Sequence, residues 1–150
     1  MEIKNKIFIG IDPGKKGGFS IINGENIESF PWEDSLFVEK MNQKAALLGL
    51  ENTHFENPSG LDGETHHTTA LELAQIAACA LKNETFAEMV ATQQIQVAGR
   101  WLKNHNRLLK EIDASGVKTG YTKACGRCLV SAKEQNGRSL ICVTLNAPDD

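Results

Sequence analysis

The 150-residue sequence has no basic excess, no long apolar run and few aromatic residues. It contains 16 Lys and Arg residues and 19 Asp and Glu residues, which gives a net charge of −3. This balance argues against a protein that neutralises many phosphates, so we expect no nucleic acid partner. No segment approaches the roughly 20 apolar residues of a transmembrane helix, so we expect no membrane span. Residues 1–11 lack the layout of a signal peptide, so the chain as written is expected in the cytoplasm.

The start of the chain differs from the rest in its aliphatic residues. Residues 1–35 hold seven of the eleven Ile but no Leu, Ala, Val or Cys, all of which occur in residues 36–150. A preference for β-branched residues in strands explains the Ile, but it fits the absence of Val poorly. We therefore predict a junction near Ser35, with residues 1–35 forming a β-hairpin of different origin from residues 36–150.

Turn residues between alternating segments predict two hairpins. Residues 6–11 and 19–22 flank Asp12-Pro13-Gly14 and Gly17-Gly18, which are typical turn residues. Towards the C-terminus, residues 128–133 and 139–145 flank Asn136-Gly137, and Asn-Gly is the strongest short hairpin signal. The C-terminal strands begin near Val117, and Ile95 and Val97 alternate with polar residues upstream.

Three helices are predicted between these hairpins. Apolar residues follow helical spacing from Leu36, with Ser35 as an N-cap and Gly49 just past the end. Residues 51–67 show no period and form a long loop, a kind of segment that often has a function. Helices followed by antiparallel strands predict an α+β fold, in which helices pack on an antiparallel sheet. Two capping boxes start the other helices, namely Thr69 with Glu72 and Thr85 with Glu88.

Cys125 and Cys128 form a Cys-x-x-Cys motif, which is typical of a redox dithiol or of half a zinc site. A redox dithiol usually stands at a helix N-terminus, whereas the residues that follow Cys125 here predict a strand. In a strand, positions i and i+3 face opposite sides, so we expect the two sulfurs to diverge. We therefore interpret both as small apolar strand residues and expect no cofactor, with a reactive thiol pair as the alternative. The histidines show no metal-binding spacing, and we predict turn and capping roles for them. They are His54, His66, His67 and His105.

Three motifs stand in order along the second part of the chain: Asn57-Pro58-Ser59-Gly60-Leu61-Asp62, Asn104-His105-Asn106-Arg107-Leu108-Leu109 and Gly116-Val117-Lys118-Thr119-Gly120-Tyr121-Thr122. With these motifs, residues 36–150 resemble the low-molecular-mass penicillin-binding proteins, the serine-type D-alanyl-D-alanine carboxypeptidases of peptidoglycan maturation. The resemblance implies an incomplete penicillin-binding-protein/β-lactamase-like fold and a family that acts outside the cytoplasm. The other matching stretches are residues 37–42, 48–55, 67–70 and 126–130.

The resemblance assigns roles to one strand. Lys118 and Thr119 would bind the terminal carboxylate of the substrate by charge-assisted hydrogen bonds. Gly120 would let an extended peptide approach the backbone closely. The backbone N–H of Tyr121 would donate to the oxyanion of the tetrahedral intermediate. The implied partners are β-lactams and peptidoglycan stem peptides ending in D-Ala-D-Ala, which this family hydrolyses through a serine acyl-enzyme.

The chain departs from the family at the nucleophile. The family carries its Ser in Ser-x-x-Lys at a helix start, followed by Ser-x-Asn, and neither motif occurs upstream of the matched stretches. Ser115-Gly116-Val117-Lys118 fits Ser-x-x-Lys by coincidence, because its Lys is the strand lysine. We therefore expect an inactive chain, and whether it is an enzyme stays open. A non-catalytic module that binds peptidoglycan peptides is one alternative.

A second resemblance concerns residues 7–22, which are similar to the opening hairpin of phage Holliday junction resolvases with a ribonuclease-H-like fold. It implies that Asp12 is a Mg²⁺ ligand of a nuclease. Two-metal chemistry needs several converging carboxylates, and only Glu39 could imitate a second one. Asp12-Pro13-Gly14 is also ordinary turn chemistry. A Mg²⁺-dependent nuclease fragment is therefore the other alternative.

Overall fold

A computed structural model describes residues 7–12, 18–23, 26–31, 34–97 and 99–148. The described residues form an α+β structure, in which the strands belong to antiparallel sheets. None of the described helices is long and apolar enough to cross a membrane. The elements are, in order, β1 Ile7–Asp12, β2 Gly18–Asn23, β3 Asn26–Pro31, α1 Asp34–Leu47, α2 Ala70–Ala80, α3 Glu84–Ala91, β4 Gln94–Val97, β5 Arg100–Lys103, α4 Leu108–Glu111, β6 Gly116–Thr122, β7 Gly126–Gln135 and β8 Arg138–Ala147.

The predicted N-terminal hairpin is extended by a third strand. β1 pairs antiparallel with β2, and β2 pairs antiparallel with β3. The sequence pattern did not predict β3, because a six-residue segment with only two large apolar side chains gives a weak alternation signal. Asp12 ends β1 opposite Gly18, and the predicted turn residues 13–17 lie outside the described residues.

The first two helices begin close to their predicted starts. α1 begins at Asp34, so Ser35 lies inside the helix and its predicted role as N-cap is wrong. Gly49 follows the helix with a φ of 71°, a conformation that glycine adopts without strain. Thr69 caps α2 as predicted, because its side chain accepts a hydrogen bond from the backbone N–H of Glu72.

The third helix starts earlier than its predicted capping box. The Asn83 side chain accepts from the N–H of Phe86 at 3.0 Å, so Asn83 is the N-cap and Thr85 lies within α3. Asn is at least as good an N-cap as Thr, and this choice places Glu84 in the first turn, where the helix dipole favours an acidic residue. The prediction of Thr85 as the cap is therefore wrong.

The C-terminal sheet has the order β6-β7-β8. The turn between β7 and β8 is the two-residue pair Asn136-Gly137, with φ values of 54° and 72°, as a tight hairpin requires. The predicted hairpin is confirmed, with longer arms than expected. α2 packs against β8 and β7, and α3 packs against β6.

The buried apolar residues of the described segments are mostly small. They are Ala45, Leu50, Ala77, Leu109, Ala114, Val130 and Ala132. Within the described chain β6 has α3 and β7 as its main neighbours, so it stands at an edge of its sheet. The short hairpin of β4 and β5 precedes it; the alternation at Ile95 falls in β4, whereas β5 was not predicted.

Candidate functional site

A cavity of about 940 Å³ lies beside β6. Residues of β6 form part of its wall, and the remainder comes from the 51–67 loop, α2, the segment around α4, and strands β7 and β8. The Lys-Thr-Gly motif thus stands on an edge strand next to an open space. The lining includes Ser59, Gly60, Leu61, His105, Asn106, Arg107, Glu111, Lys118, Thr119, Gly120, Tyr121, Arg127 and Cys128.

The four residues that the sequence assigns to substrate binding all lie on this wall. Lys118 lies opposite Val130 in the β6–β7 register, and Gly120 lies opposite Cys128. The side chain of Lys118 is exposed, and its ammonium donates to the carbonyl of Thr119. A Cβ added to Gly120 would meet only the Cβ of Cys128, at 3.8 Å, so the absent side chain leaves room on the cavity side of the strand.

Asn57 shapes the loop segment that reaches the cavity. Its Nδ2 donates to the carbonyl of Leu61 at 2.9 Å. Its Oδ1 accepts from the backbone N–H of Gly60 at 2.8 Å and from the Ser59 hydroxyl at 2.9 Å. Asn side chains commonly organise turns in this way, so one residue fixes the course of residues 57–61. The sequence motif contains Asn57 but does not reveal this role.

The start of the same loop is fastened to α2 by Glu72. Its buried carboxylate accepts from the backbone N–H and the Nδ2 of Asn52, at 2.9 and 3.0 Å. The Thr53 hydroxyl also donates to it, and the Thr68 hydroxyl lies 2.9 Å from the Thr53 hydroxyl. The hydrogen bond from Thr53 is the largest influence on the pKa of Glu72 and lowers it, while burial opposes this effect.

Glu56 plays a similar part within the loop. Its carboxylate accepts from the hydroxyl of Thr65 and from the backbone N–H of Thr65, the latter at 2.7 Å. These hydrogen bonds, the side-chain one first, hold the pKa of Glu56 below its usual value. Two carboxylates with lowered pKa values therefore hold the loop in its shape.

The loop is also joined directly to the end of β6. The Thr122 hydroxyl lies 2.6 Å from a carboxylate oxygen of Asp62. Asp62 closes the Asn-Pro-Ser-Gly-Leu-Asp motif, and Thr122 closes β6. This contact brings together two motifs that are 60 residues apart in the sequence.

Asn106 fixes the other end of β6. It is 5 % exposed, and its Nδ2 donates to the carbonyl of Gly116 at 3.0 Å. Its Oδ1 accepts from the N–H of Leu108 at 3.1 Å, at the start of α4. Because both oxygen and nitrogen are used, Asn106 couples the α4 segment to the first residue of the strand.

The cavity lining carries more positive than negative charge. Arg107, Lys118 and Arg127 contribute cations, and Glu111 contributes one carboxylate. The guanidinium carbon of Arg127 lies 5.5 Å from the ring centroid of Tyr121, a cation–π arrangement. The sequence did not assign Arg107 or Arg127 to the site, because their place in the same cavity lining as Lys118 follows only from the pairing of β6 with β7 and from the position of α4. This charge favours an anionic ligand such as a carboxylate.

The predicted divergence of the two motif cysteines is wrong. Cys125 belongs to the turn before β7 rather than to the strand, so the i, i+3 rule for strands does not apply to it. Its sulfur lies 3.9 Å from that of Cys128. Cys125 is exposed, which also contradicts its interpretation as an apolar strand residue.

The histidines serve the 51–67 loop. His54 and His67 pair through their backbones at 2.9 and 3.0 Å, and the Nδ1 of His66 accepts from the N–H of Glu56 at 3.2 Å. Within the described ranges, no group of three or more His, Cys, Asp or Glu side chains could hold a metal ion. His105, outside that loop, lines the cavity.

Ser115 does not stand at a helix start. It immediately precedes β6, and its N–H donates to the carbonyl of Ala132 at 2.7 Å in the sheet. The literal Ser-x-x-Lys at residues 115–118 thus runs into a strand. In the family motif the Ser and Lys share one face of a helix, a geometry that this segment does not have.

An antiparallel sheet packed with helices, with Lys-Thr-Gly on an edge strand beside a cationic cavity, defines the penicillin-binding-protein fold class. The sequence profile of the D-alanyl-D-alanine carboxypeptidases matches residues 28–149. The chain therefore belongs to the D-alanyl-D-alanine carboxypeptidase family, as the first resemblance predicted. The resemblance of residues 7–22 to resolvases, and with it the metal role of Asp12, finds no support in these comparisons.

Individual relatives agree with this assignment. The chain is 42 % identical over 114 residues to the D-alanyl-D-alanine carboxypeptidase DacF of Bacillus subtilis, a match that covers 71 % of this chain and 29 % of that protein. The crystal structure of the Streptomyces K15 DD-transpeptidase superposes with a TM-score of 0.68 at 36 % identity, covering 73 % of this chain and 46 % of that one. For the D-alanyl-D-alanine carboxypeptidase of Mycobacterium tuberculosis the TM-score is 0.70 at 35 % identity, with 77 % and 47 % covered. The chain thus spans less than half the length of each of these relatives.

Proposed function

We propose that this chain binds peptides ending in D-Ala-D-Ala along the free edge of β6 and does not hydrolyse them. The observation that carries the proposal is the position of Lys118, Thr119, Gly120 and Tyr121 on the wall of a cavity with a cationic lining. This is the arrangement that an extended peptide with a terminal carboxylate needs. The family of the chain supports the substrate class.

Binding begins with the terminal carboxylate. The Lys118 ammonium and the Thr119 hydroxyl donate to it, and hydrogen bonds to charged groups are among the stronger ones in proteins. The ammonium leaves the Thr119 carbonyl to do so. Arg107 and Arg127, which also line the cavity, add to the attraction for the anion.

The peptide backbone then pairs with β6 as an added strand. β6 is an edge strand among the described residues, so its outward N–H and C=O groups face the cavity rather than another strand. Gly120 would let the peptide approach closely, and the N–H of Tyr121 would donate to the carbonyl that a complete enzyme attacks. β-Lactams present a similar carboxylate and would bind in the same place reversibly.

Hydrolysis requires a nucleophile that the 150 residues do not contain in the family form. Neither Ser-x-x-Lys at a helix start nor Ser-x-Asn occurs in them. A hydrogen-bond donor for the oxyanion stabilises a tetrahedral intermediate but cannot form one without an attacking group. We therefore expect binding without turnover and without an acyl-enzyme.

Calorimetric titration with an N-acetylated Lys-D-Ala-D-Ala peptide tests this function. Lys118→Ala should weaken binding about tenfold, since a charge-assisted hydrogen bond contributes about 1.5 kcal/mol. Lys103→Ala removes the same charge from β5 and is the matched control, with unchanged binding expected. The peptide with a C-terminal amide should bind weakly to every variant, because it lacks the group that Lys118 recognises.

Two results would overturn the proposal. Equal losses for Lys118→Ala and Lys103→Ala would show a general effect of charge rather than a site on β6. Release of D-Ala, or a covalent adduct with fluorescent penicillin that survives denaturation, would show that the chain contains a working nucleophile.

A further inference from the structure

The turn between β6 and β7 carries two thiols at short range. Cys125 is its last residue, and Cys128 lies in β7, where the register with β8 shifts between Arg127 and Leu129. Their sulfurs are 3.9 Å apart, and the sulfur of Cys128 is 3.7 Å from the carbonyl oxygen of Cys125. A disulfide has its sulfurs about 2 Å apart, so these two sulfurs must approach each other by about 2 Å to bond.

The two thiols differ in access. Cys125 is exposed, whereas Cys128 is partly covered and lines the cavity opposite Gly120. The backbone that carries them is fixed: the N–H of Cys125 donates to the Thr122 hydroxyl at 3.0 Å. A Cβ on Gly126 would lie 3.2 Å from the Cα of Asn146, so the turn sits tightly against β8.

The surroundings of Cys125 favour its thiolate. The Thr122 hydroxyl lies 3.1 Å from its sulfur and 2.6 Å from a carboxylate oxygen of Asp62, so the two groups share its single proton; its hydrogen bond to the sulfur is the largest influence lowering the pKa of Cys125. The nearby charge of Asp62 acts in the opposite direction. Burial is the main reason that the pKa of Cys128 is raised. Cys125 is thus the thiol that attacks first and Cys128 the one that follows.

We infer that Cys125 and Cys128 form a reversible disulfide by exchange with a small-molecule disulfide, at the rim of the cavity beside Gly120. The Cys125 thiolate attacks one sulfur of the small molecule, whose S–S bond breaks and whose other half leaves as a thiol. The Cys128 thiol then loses its proton and attacks the Cys125 sulfur, which releases the second small thiol. Two protein thiols are oxidised by two electrons, and one small disulfide is reduced to two thiols.

Peptide mapping of the full chain tests this inference independently of the proposed binding function. The protein is equilibrated in mixtures of oxidised and reduced glutathione, quenched with acid, alkylated and digested with trypsin without reduction. Because trypsin cuts after Arg127, the disulfide links two separate peptides, residues 124–127 and 128–133. We expect this linked pair, lighter than the sum of the two peptides by two hydrogen atoms, and its loss on treatment with a dithiol reductant.

Single variants separate the two steps. Cys128→Ser should accumulate glutathione on Cys125, because the resolving thiol is missing, and Cys125→Ser should form neither adduct nor link. Cys142→Ser, which removes another exposed cysteine, is the matched control and should behave as the unmodified chain. The inference is overturned if the wild-type digest contains no linked pair under oxidising mixtures, or if Cys142 reacts in preference to Cys125.

Discussion

Single polar side chains hold the wall of the cavity together, and the buried Asn106 is one of them. Its amide joins the carbonyl of Gly116 to the N–H of Leu108, two backbone groups from different elements. A buried backbone carbonyl that loses its donor costs the free energy of its desolvation. Asn106 is therefore a positioning residue for β6.

Replacement of the Asn106 amide by a carboxylic acid tests the contribution of its N–H donor to stability. Asn106→Asp keeps an oxygen for Leu108 but removes the Nδ2 that donates to Gly116. We expect the free energy of unfolding to fall by about 1 to 3 kcal/mol, measured by urea denaturation. A fall of less than about 0.5 kcal/mol, the usual range for surface substitutions, would contradict the role given to Asn106.

At the residue scale, the sequence identifies those residues whose role is defined by a single continuous motif. Lys118, Thr119 and Gly120 were named because their order along one strand already has a meaning. Asn106 lay inside a recognised stretch, but its partner is a backbone carbonyl ten residues away, and nothing in the sequence marks a backbone atom as an acceptor. The cationic neighbours Arg107 and Arg127 were missed because their contacts with the cavity are likewise tertiary.

At the scale of elements, the 51–67 loop depends on carboxylates rather than on apolar packing. Glu72 accepts hydrogen bonds from Asn52 and Thr53, and Glu56 accepts from Thr65. Both pKa values are lowered by these donors, so the folded chain holds the charged forms more strongly than the unfolded chain does. The stability they contribute is therefore present above the unfolded pKa and is lost as the pH falls through the folded pKa.

Glu72→Gln tests the pH dependence of this loop. At neutral pH the variant should unfold at lower urea, because an uncharged amide accepts the hydrogen bonds of Asn52 and Thr53 less well. The difference from wild type should shrink as the pH is lowered through the folded pKa of Glu72, where the wild-type carboxyl is itself protonated. Glu88→Gln, on the exposed side of α3, is the control with no such difference. A gap between Glu72→Gln and wild type that stayed constant with pH would count against a charged Glu72.

Two glycines of the C-terminal sheet have different roles, one in the backbone of a turn and one in the approach of a ligand. Gly137 has a φ of 72° and open space around its missing Cβ, so the turn needs it for its backbone. A Cβ on Gly120 would make one ordinary contact, at 3.8 Å from Cys128, so the fold tolerates a side chain there. We assign Gly120 to peptide binding and Gly137 to folding.

Alanine at each position separates the two roles. Gly137→Ala should lower the free energy of unfolding by about 1 kcal/mol or more and leave peptide affinity unchanged. Gly120→Ala should change stability by less than about 0.5 kcal/mol and weaken binding of the acetylated D-Ala-D-Ala peptide. Urea denaturation and calorimetry on both variants give the comparison. If Gly120→Ala proves as destabilising as Gly137→Ala, the glycine has a structural role.

Some secondary-structure elements could be predicted from the apolar pattern of the sequence, and others could not. The helix α2 and the Asn-Gly hairpin were predicted, because a cap or a turn pair agrees there with the apolar pattern. The start of α3 was misplaced because Asn83 and Thr85 are both good caps and only the packed chain chooses between them. The wrong prediction that the two cysteines diverge came from placing Cys125 in the strand. β7 begins one residue later, and Cys125 belongs to the turn before it.

At the scale of the molecule, the site is assembled from segments far apart in the sequence. The Asn57 turn, the α4 segment and β6 meet at one cavity. Asp62 accepts a hydrogen bond from Thr122 at one end of β6, and Asn106 donates one to Gly116 at the other end. The family fold could be predicted from the order of the motifs. The sign of the charge in the cavity could not, because it depends on which arginines the tertiary structure brings into the lining with Lys118.

Nitrogen–proton correlation NMR of the labelled full chain, titrated with the acetylated Lys-D-Ala-D-Ala peptide, is the most direct test of a peptide site on β6. We expect saturable shifts of the backbone amides of residues 118–122 and 59–62, with much smaller shifts in the β4–β5 hairpin. The same peptide with a C-terminal amide, which lacks the carboxylate that Lys118 recognises, should shift these amides much less. Shifts that are absent from β6, or that appear equally with the amidated peptide, would contradict a peptide site on this strand.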